Sequence, residues 1–164
     1  MRQKGVSLLE IVIVVAIFAV VAVLTTRSTF LTLRGSKKSD SQIRVKENLE
    51  YGLSVIDRQL RNADLVTSTC DGSSLPRLDY VDSTGAVSFF ACQEIGQTSG
   101  YVASGSARLT SDEITITSCT FICSPQEGST PTSVTIDVTG SDLGATGVES
   151  SKVSISTKVF LRTY

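Results

Sequence analysis

MRQKGVSLLEIVIVVAIFAVVAVLTTRSTFLTLRGSKK, residues 1–38, decides how the remainder of the chain is read. Residues 11–24, IVIVVAIFAVVAVL, are apolar without a break, and the basic residues Arg2 and Lys4 precede them. From Val6 to Leu24 the segment is ~28 Å long as a helix, enough to cross a hydrocarbon core of ~30 Å. Its β-branched residues do not argue against helix, because in lipid every backbone polar group needs an internal partner and a helix supplies one. The basic head is expected to stay cytoplasmic while the helix crosses the bilayer. A secretory signal peptide has a shorter apolar core and ends at a small-x-small site. Here the run leads into TTRSTFLTLRGSKK, which has no such site, so a signal anchor fits the length and charge. Neither pattern explains Glu10. A carboxylate inside a membrane helix costs ~2.5–3.5 kcal/mol at the centre and less near the interface, and such an acid usually has a partner.

Beyond the span the pattern becomes amphipathic. Val45, Leu49, Leu53, Ile56, Leu60 and Ala63 form one helical stripe, with Arg44, Lys46, Glu47, Glu50, Asp57, Arg58 and Arg61 mostly off it. One side is expected to pack on a sheet and the other to be wet. RGSKKSDS (34–41) predicts a kink or break around Gly35. From Leu65 the period is two. Leu78–Val81 and Ala86–Ala91 flank Asp82-Ser83-Thr84-Gly85, a hairpin signal. Arg108–Leu109, Ile114–Ile116, Val134–Val138 and Val153–Leu161 follow as strand candidates, separated by clusters such as SPQEGSTPT and TGSDLGATGVESS. The expectation is an α+β chain: a basic leader over 1–5, a membrane helix over 6–34, an amphipathic helix over 35–64, and an antiparallel β domain with long loops over 65–164.

Composition narrows the chemistry. The 164 residues carry 15 basic and 16 acidic side chains, a formal net charge of −1, which gives no chain-wide attraction to nucleic acid or acidic lipid. Loop lysines and arginines could touch nucleic acid, but nothing concentrates them. With no His, every mechanism built on an imidazole base or ligand is excluded. No phosphate-binding glycine loop and no G-x-S-x-G elbow occurs, and the abundant Ser and Thr have no base to activate them. Asp71-Gly72 and Asp82–Gly85 read as turns, and Asp112-Glu113 as solvated carboxylates. Neither a catalytic residue nor a cofactor is expected.

The four cysteines, Cys70, Cys92, Cys119 and Cys123, all follow the apolar span. An even number beyond a membrane anchor favours disulfides in an oxidising compartment over a zinc site. Three pairings are open. The reading leans to Cys70–Cys92 and Cys119–Cys123, the latter requiring a hairpin or loop at Thr120–Ile122. In a straight strand those two Cα atoms would stand ~13 Å apart, beyond what a disulfide spans.

Lys4-Gly5-Val6-Ser7-Leu8-Leu9-Glu10, followed by an apolar helix, resembles the type III signal of the type IV pilin superfamily. The family usually has Phe where this chain has Val6. The resemblance implies cleavage between Gly5 and Val6 by a membrane prepilin peptidase, then N-methylation of Val6. It also implies that Glu10 neutralises the terminal amine of a neighbouring subunit during filament assembly, since a buried charge in lipid is far cheaper when paired. Implied partners are the peptidase, sibling pilin or pseudopilin subunits, the inner-membrane assembly platform, and the membrane itself before assembly. Val45–Leu53, Ile56–Ala63 and the closing Val153–Tyr164 are similar to W-type minor pilins and J-type minor pseudopilins. The rival reading is a signal-anchored periplasmic binding module or enzyme that never polymerises.

Overall fold

A computed structural model describes residues 7–125, 127, 132–144 and 151–161. The chain divides into two compact units, Met1–Lys37 and Lys38–Tyr164. Helix α1 (Leu8–Arg61) passes through both. It runs on through Gly35, so of the kink or break expected there the break is absent. A single glycine costs a helix only ~1 kcal/mol, which does not by itself end one. Ser41, Val45, Leu49, Gly52, Leu53, Ile56 and Leu60 are the buried residues of α1, so the expected stripe is the packed face. Ala63 is buried as well, but it belongs to the first strand, because the helix stops at Arg61. Arg58 and Arg61 occupy the last turn, where cations suit the helix dipole.

Nine strands follow among the described residues: β1 (Ala63–Val66), β2 (Ser74–Leu75), β3 (Arg77–Asp82), β4 (Val87–Gln93), β5 (Tyr101–Ser104), β6 (Ala107–Arg108), β7 (Ile114–Ser124), β8 (Ser133–Asp142) and β9 (Lys152–Phe160). They form two antiparallel sheets, β1-β3-β4-β5-β6 and β2-β7-β8-β9. The β3–β4 hairpin stands where Asp82–Gly85 predicted it, with Gly85 at φ 82° as the turn requires. Asp82 accepts from Thr84 Oγ1 at 2.6 Å, Thr84 N at 2.8 Å and Ala86 N at 3.0 Å, which locks the corner.

The sheets share one core with the second half of α1. Phe90 and Phe121 are fully buried with Leu49, Ile56 and Leu60, and Tyr80 stacks on Phe90 at 5.0 Å. Each such side chain contributes ~1.5–3 kcal/mol through burial. Polar contacts fix the helix in rotation. Gln59 Oε1 accepts from Tyr80 Oη at 3.0 Å and Ser104 Oγ at 3.1 Å, and Asn48 Oδ1 accepts from Ser111 N at 3.3 Å. Arg44 pairs with the buried carboxylate of Asp142 at 3.1 Å, at the end of β8.

The two sheets are stitched at three places. The chain passes from β2 to β3 through Pro76, whose carbonyl accepts from Cys92 N at 2.9 Å. Gly100 O accepts from Ile116 N at 2.8 Å, beside the register shift of β7 against β8 between Ile116 and Ser118. A Cβ at Gly100 would collide with the carbonyl oxygen of Ile116, so only glycine permits this approach. The third stitch is covalent: Cys92 on β4 is bridged to Cys119 on β7.

The second disulfide is Cys70–Cys123, from the β1–β2 loop to β7. Both bridges correct the expected pairing. The reason lies in β7, which runs unbroken from Ile114 to Ser124 and has no hairpin at Thr120–Ile122. Cys119 and Cys123 stay four residues apart on an extended strand, each buried, and each finds its partner on a different neighbouring segment.

Candidate functional site

The residues singled out for processing and assembly cluster at the start of α1. The carbonyl of Ser7 accepts from Glu10 N at 3.0 Å and from Ile11 N at 3.3 Å, which closes the first helical turn. Glu10 is the acid of that turn, where a carboxylate meets the positive end of the helix dipole. Its side chain is exposed and lies beside a shallow recess lined by Ile11, Val14 and Val15. Arg2, Lys4, Gly5 and Val6 lie outside the described residues.

From Leu8 to Leu24 every residue is exposed. Ile13, Val15, Phe18 and Leu24 are each at least half accessible, a surface that water would not tolerate on this scale. Among the described residues α1 is the one helix long and apolar enough to cross a membrane. Buried core helices pass the same length test, but no residue of the apolar window is buried here. The apolar run therefore asks for lipid or for other helices.

Residues 1–26 match the prokaryotic N-terminal methylation motif. The methylation motif covers Arg2, Lys4, Gly5, Val6 and Glu10 together with the apolar run, and it supports a type IV pilin-like prepilin signal. No curated protein and no solved structure matches the chain. With a long N-terminal helix packed on antiparallel sheets, the motif fits a membrane-anchored structural subunit with an extramembrane domain.

Among the described residues no group of three or more Cys, Asp and Glu side chains is placed to hold a metal ion, and all four sulfurs are in disulfides. The polar recess of about 310 Å³ between α1 and β3–β5 contains Arg58, Gln59, Asn62, Tyr80, Asp82, Ser83, Ser88 and Ser104. Gln59 and Tyr80 are already bonded to each other there, and the Asp82 carboxylate to its own turn.

Two features of the structure escaped sequence reasoning. The first is that Thr25, Thr26, Thr29 and Thr32 all turn their hydroxyls back onto α1 carbonyls. Threonines spaced by three and four directly after an apolar run are the signal that announces it. The second is Gly100, whose role depends on a long-range approach to Ile116 and leaves no local mark in the sequence.

Proposed function

We propose that the chain is a non-enzymatic minor pilin or pseudopilin, inserted in the inner membrane, cleaved after Gly5, methylated at Val6, and assembled as an initiating or tip subunit of a type IV pilus or type II secretion pseudopilus. The observation that carries this is the methylation motif over residues 1–26, joined to an apolar helix with Glu10 in its first turn. After cleavage the new amine at Val6 would be a cation at the head of an apolar rod, one turn from Glu10. An isolated charge there is costly and a paired one much less so. Pairing Glu10 with the amine of a neighbour makes the ion pair a register mark between subunits.

Orientation rests on the disulfides rather than on flanking charge. Arg2 and Lys4 precede the span while Arg27, Arg34, Lys37 and Lys38 follow it, so a count of cations does not favour a cytoplasmic head. Two disulfides in the domain after the span favour an oxidising compartment, outside the cytoplasm. The likeness of Val45–Ala63 and of the closing strand to W-type minor pilins and J-type minor pseudopilins supports a minor subunit. Bulk pilins commonly have a Pro in the membrane helix, whereas Pro76, Pro125 and Pro131 here all lie beyond it, which also favours a minor subunit.

The test is Glu10→Ala in cells that assemble the filament. Membrane insertion and cleavage should persist while the variant's share of sheared filaments falls. Wild-type incorporation of the variant would remove Glu10 from the mechanism. A bulky residue at Gly5 should leave an uncleaved precursor, and a mature protein starting at Val6 in that variant would sink the processing claim.

A further inference from the structure

The segment that follows the apolar run is built for the membrane interface. Thr25 donates to Val21 O at 3.1 Å and Ala22 O at 3.0 Å, Thr26 to Ala22 O at 2.7 Å, Thr29 to Thr25 O at 3.0 Å and Thr32 to Ser28 O at 3.0 Å. Each hydroxyl is satisfied within the helix, which is how Thr becomes tolerable in lipid, where no water can replace the bond. Phe30, Leu31 and Leu33 are exposed by 61%, 70% and 55% on the same stretch. The lipid-compatible surface thus extends past Leu24 to Leu33. From Leu8 to Leu33 the helix measures ~39 Å, close to the ~40–45 Å of a bilayer with its headgroups.

At that far boundary stand cations. Arg27, Phe30, Arg34 and Lys37 follow one another at spacings of three, four and three, a single stripe of α1. All are exposed, and among the described residues none of the three cations takes part in an ion pair. No acidic residue occurs between Glu10 and Asp40 to balance them. Cations carried across a membrane without an internal counter-charge call for an external one, and phosphate is the anion of the interface.

We propose that Arg27, Arg34 and Lys37 bind the phosphates of anionic phospholipids in the leaflet that α1 reaches after crossing. Arg34 and Lys37 meet headgroups directly, and Arg27, two turns deeper, extends its side chain back toward them while Phe30 stays among the acyl chains. This holds the helix at a set depth in the bilayer before assembly. The inference rests on the membrane-anchor part of the reading above and is independent of cleavage, methylation and polymerisation.

Full-length protein is reconstituted into nanodiscs of mixed phosphatidylglycerol and phosphatidylcholine, and co-elution with the discs establishes insertion. Native mass spectrometry then counts the lipids the protein retains. Wild type should retain the anionic lipid over the zwitterionic one by at least about fivefold, the effect of one cation near a charged surface, and lose that preference in high salt. R27Q/R34Q/K37Q should insert equally, with unchanged disulfides, and lose most of that preference, Lys38 remaining in place. The charge-preserving R27K/R34K/K37R should behave as wild type. An inserted neutral variant with the wild-type lipid ratio overturns the proposal. So does a wild type without preference, including one whose cations instead prove necessary for co-purifying a sibling subunit. Failure of wild type to enter the discs overturns the membrane anchor and this inference together.

Discussion

Removing the Cys92–Cys119 bridge tests how the two sheets are held together. The bridges are nested, Cys70–Cys123 enclosing Cys92–Cys119. Taken alone, a loop of sequence separation 27 is worth about 3.6 kcal/mol in the chain-entropy account, and one of separation 53 about 4.2 kcal/mol. Nesting makes these interdependent. With the inner bridge in place the outer one closes only the stretches Cys70–Cys92 and Cys119–Cys123, and with the outer bridge in place the inner one still divides a large loop. Cys92→Ala/Cys119→Ala should therefore cost about 3 kcal/mol. For a unit the size of Lys38–Tyr164 that lowers the melting temperature by about 10 °C. The full chain in detergent is followed by near-ultraviolet circular dichroism during heating and in urea, with a non-reducing peptide map confirming that Cys70–Cys123 persists. The same map of the wild-type chain is decisive by itself, because cleavage after Arg77, Arg108 and Phe121 separates all four cysteines. Peptides joining Cys70 to Cys92 and Cys119 to Cys123, or a loss below about 1 kcal/mol, would refute the reasoning.

Gly100→Ala should push β5 away from Ile116, losing the Gly100 O to Ile116 N bond and adding backbone strain. The expected loss is about 2–4 kcal/mol, read by denaturant titration, and wild-type stability would show that the close approach is not needed. Asp82 is held below its ordinary value of 3.8, first by the Thr84 hydroxyl and then by the Ala86 and Thr84 amides. Because the folded carboxyl is the more acidic, its contribution is complete above that value and fades as pH falls below it through the folded pKa. A carboxyl carbon titration by nuclear magnetic resonance should place the Asp82 midpoint below 3.8, and a midpoint at or above 3.8 would contradict the turn geometry.

Much of this organisation was legible because it depends on local period and local chemistry. The stripe Val45–Leu60 announces its buried face, and Asp82-Ser83-Thr84-Gly85 carries the residues its turn demands. Glu10 stands out for an equally local reason, as an acid in an oily helix. What stayed hidden depends on partners distant in the chain. β1, β2 and β5 are short and owe their pairing to neighbours more than to their own pattern. The cysteine pairing failed because ITITSCTFICS was divided at Thr120–Ile122, whereas ten-residue pairing with β8 keeps β7 extended throughout. At Gly35 a break was one of the two readings, and the helix runs on without one.

Mass spectrometry of the N-terminal peptide, taken from cells that possess a working prepilin peptidase, reaches the central proposal most directly. A peptide beginning at Val6 and heavier by one methyl group is the predicted result. Recovery of the same protein with Met1 through Gly5 still attached, while other prepilins in those cells are trimmed, would contradict it.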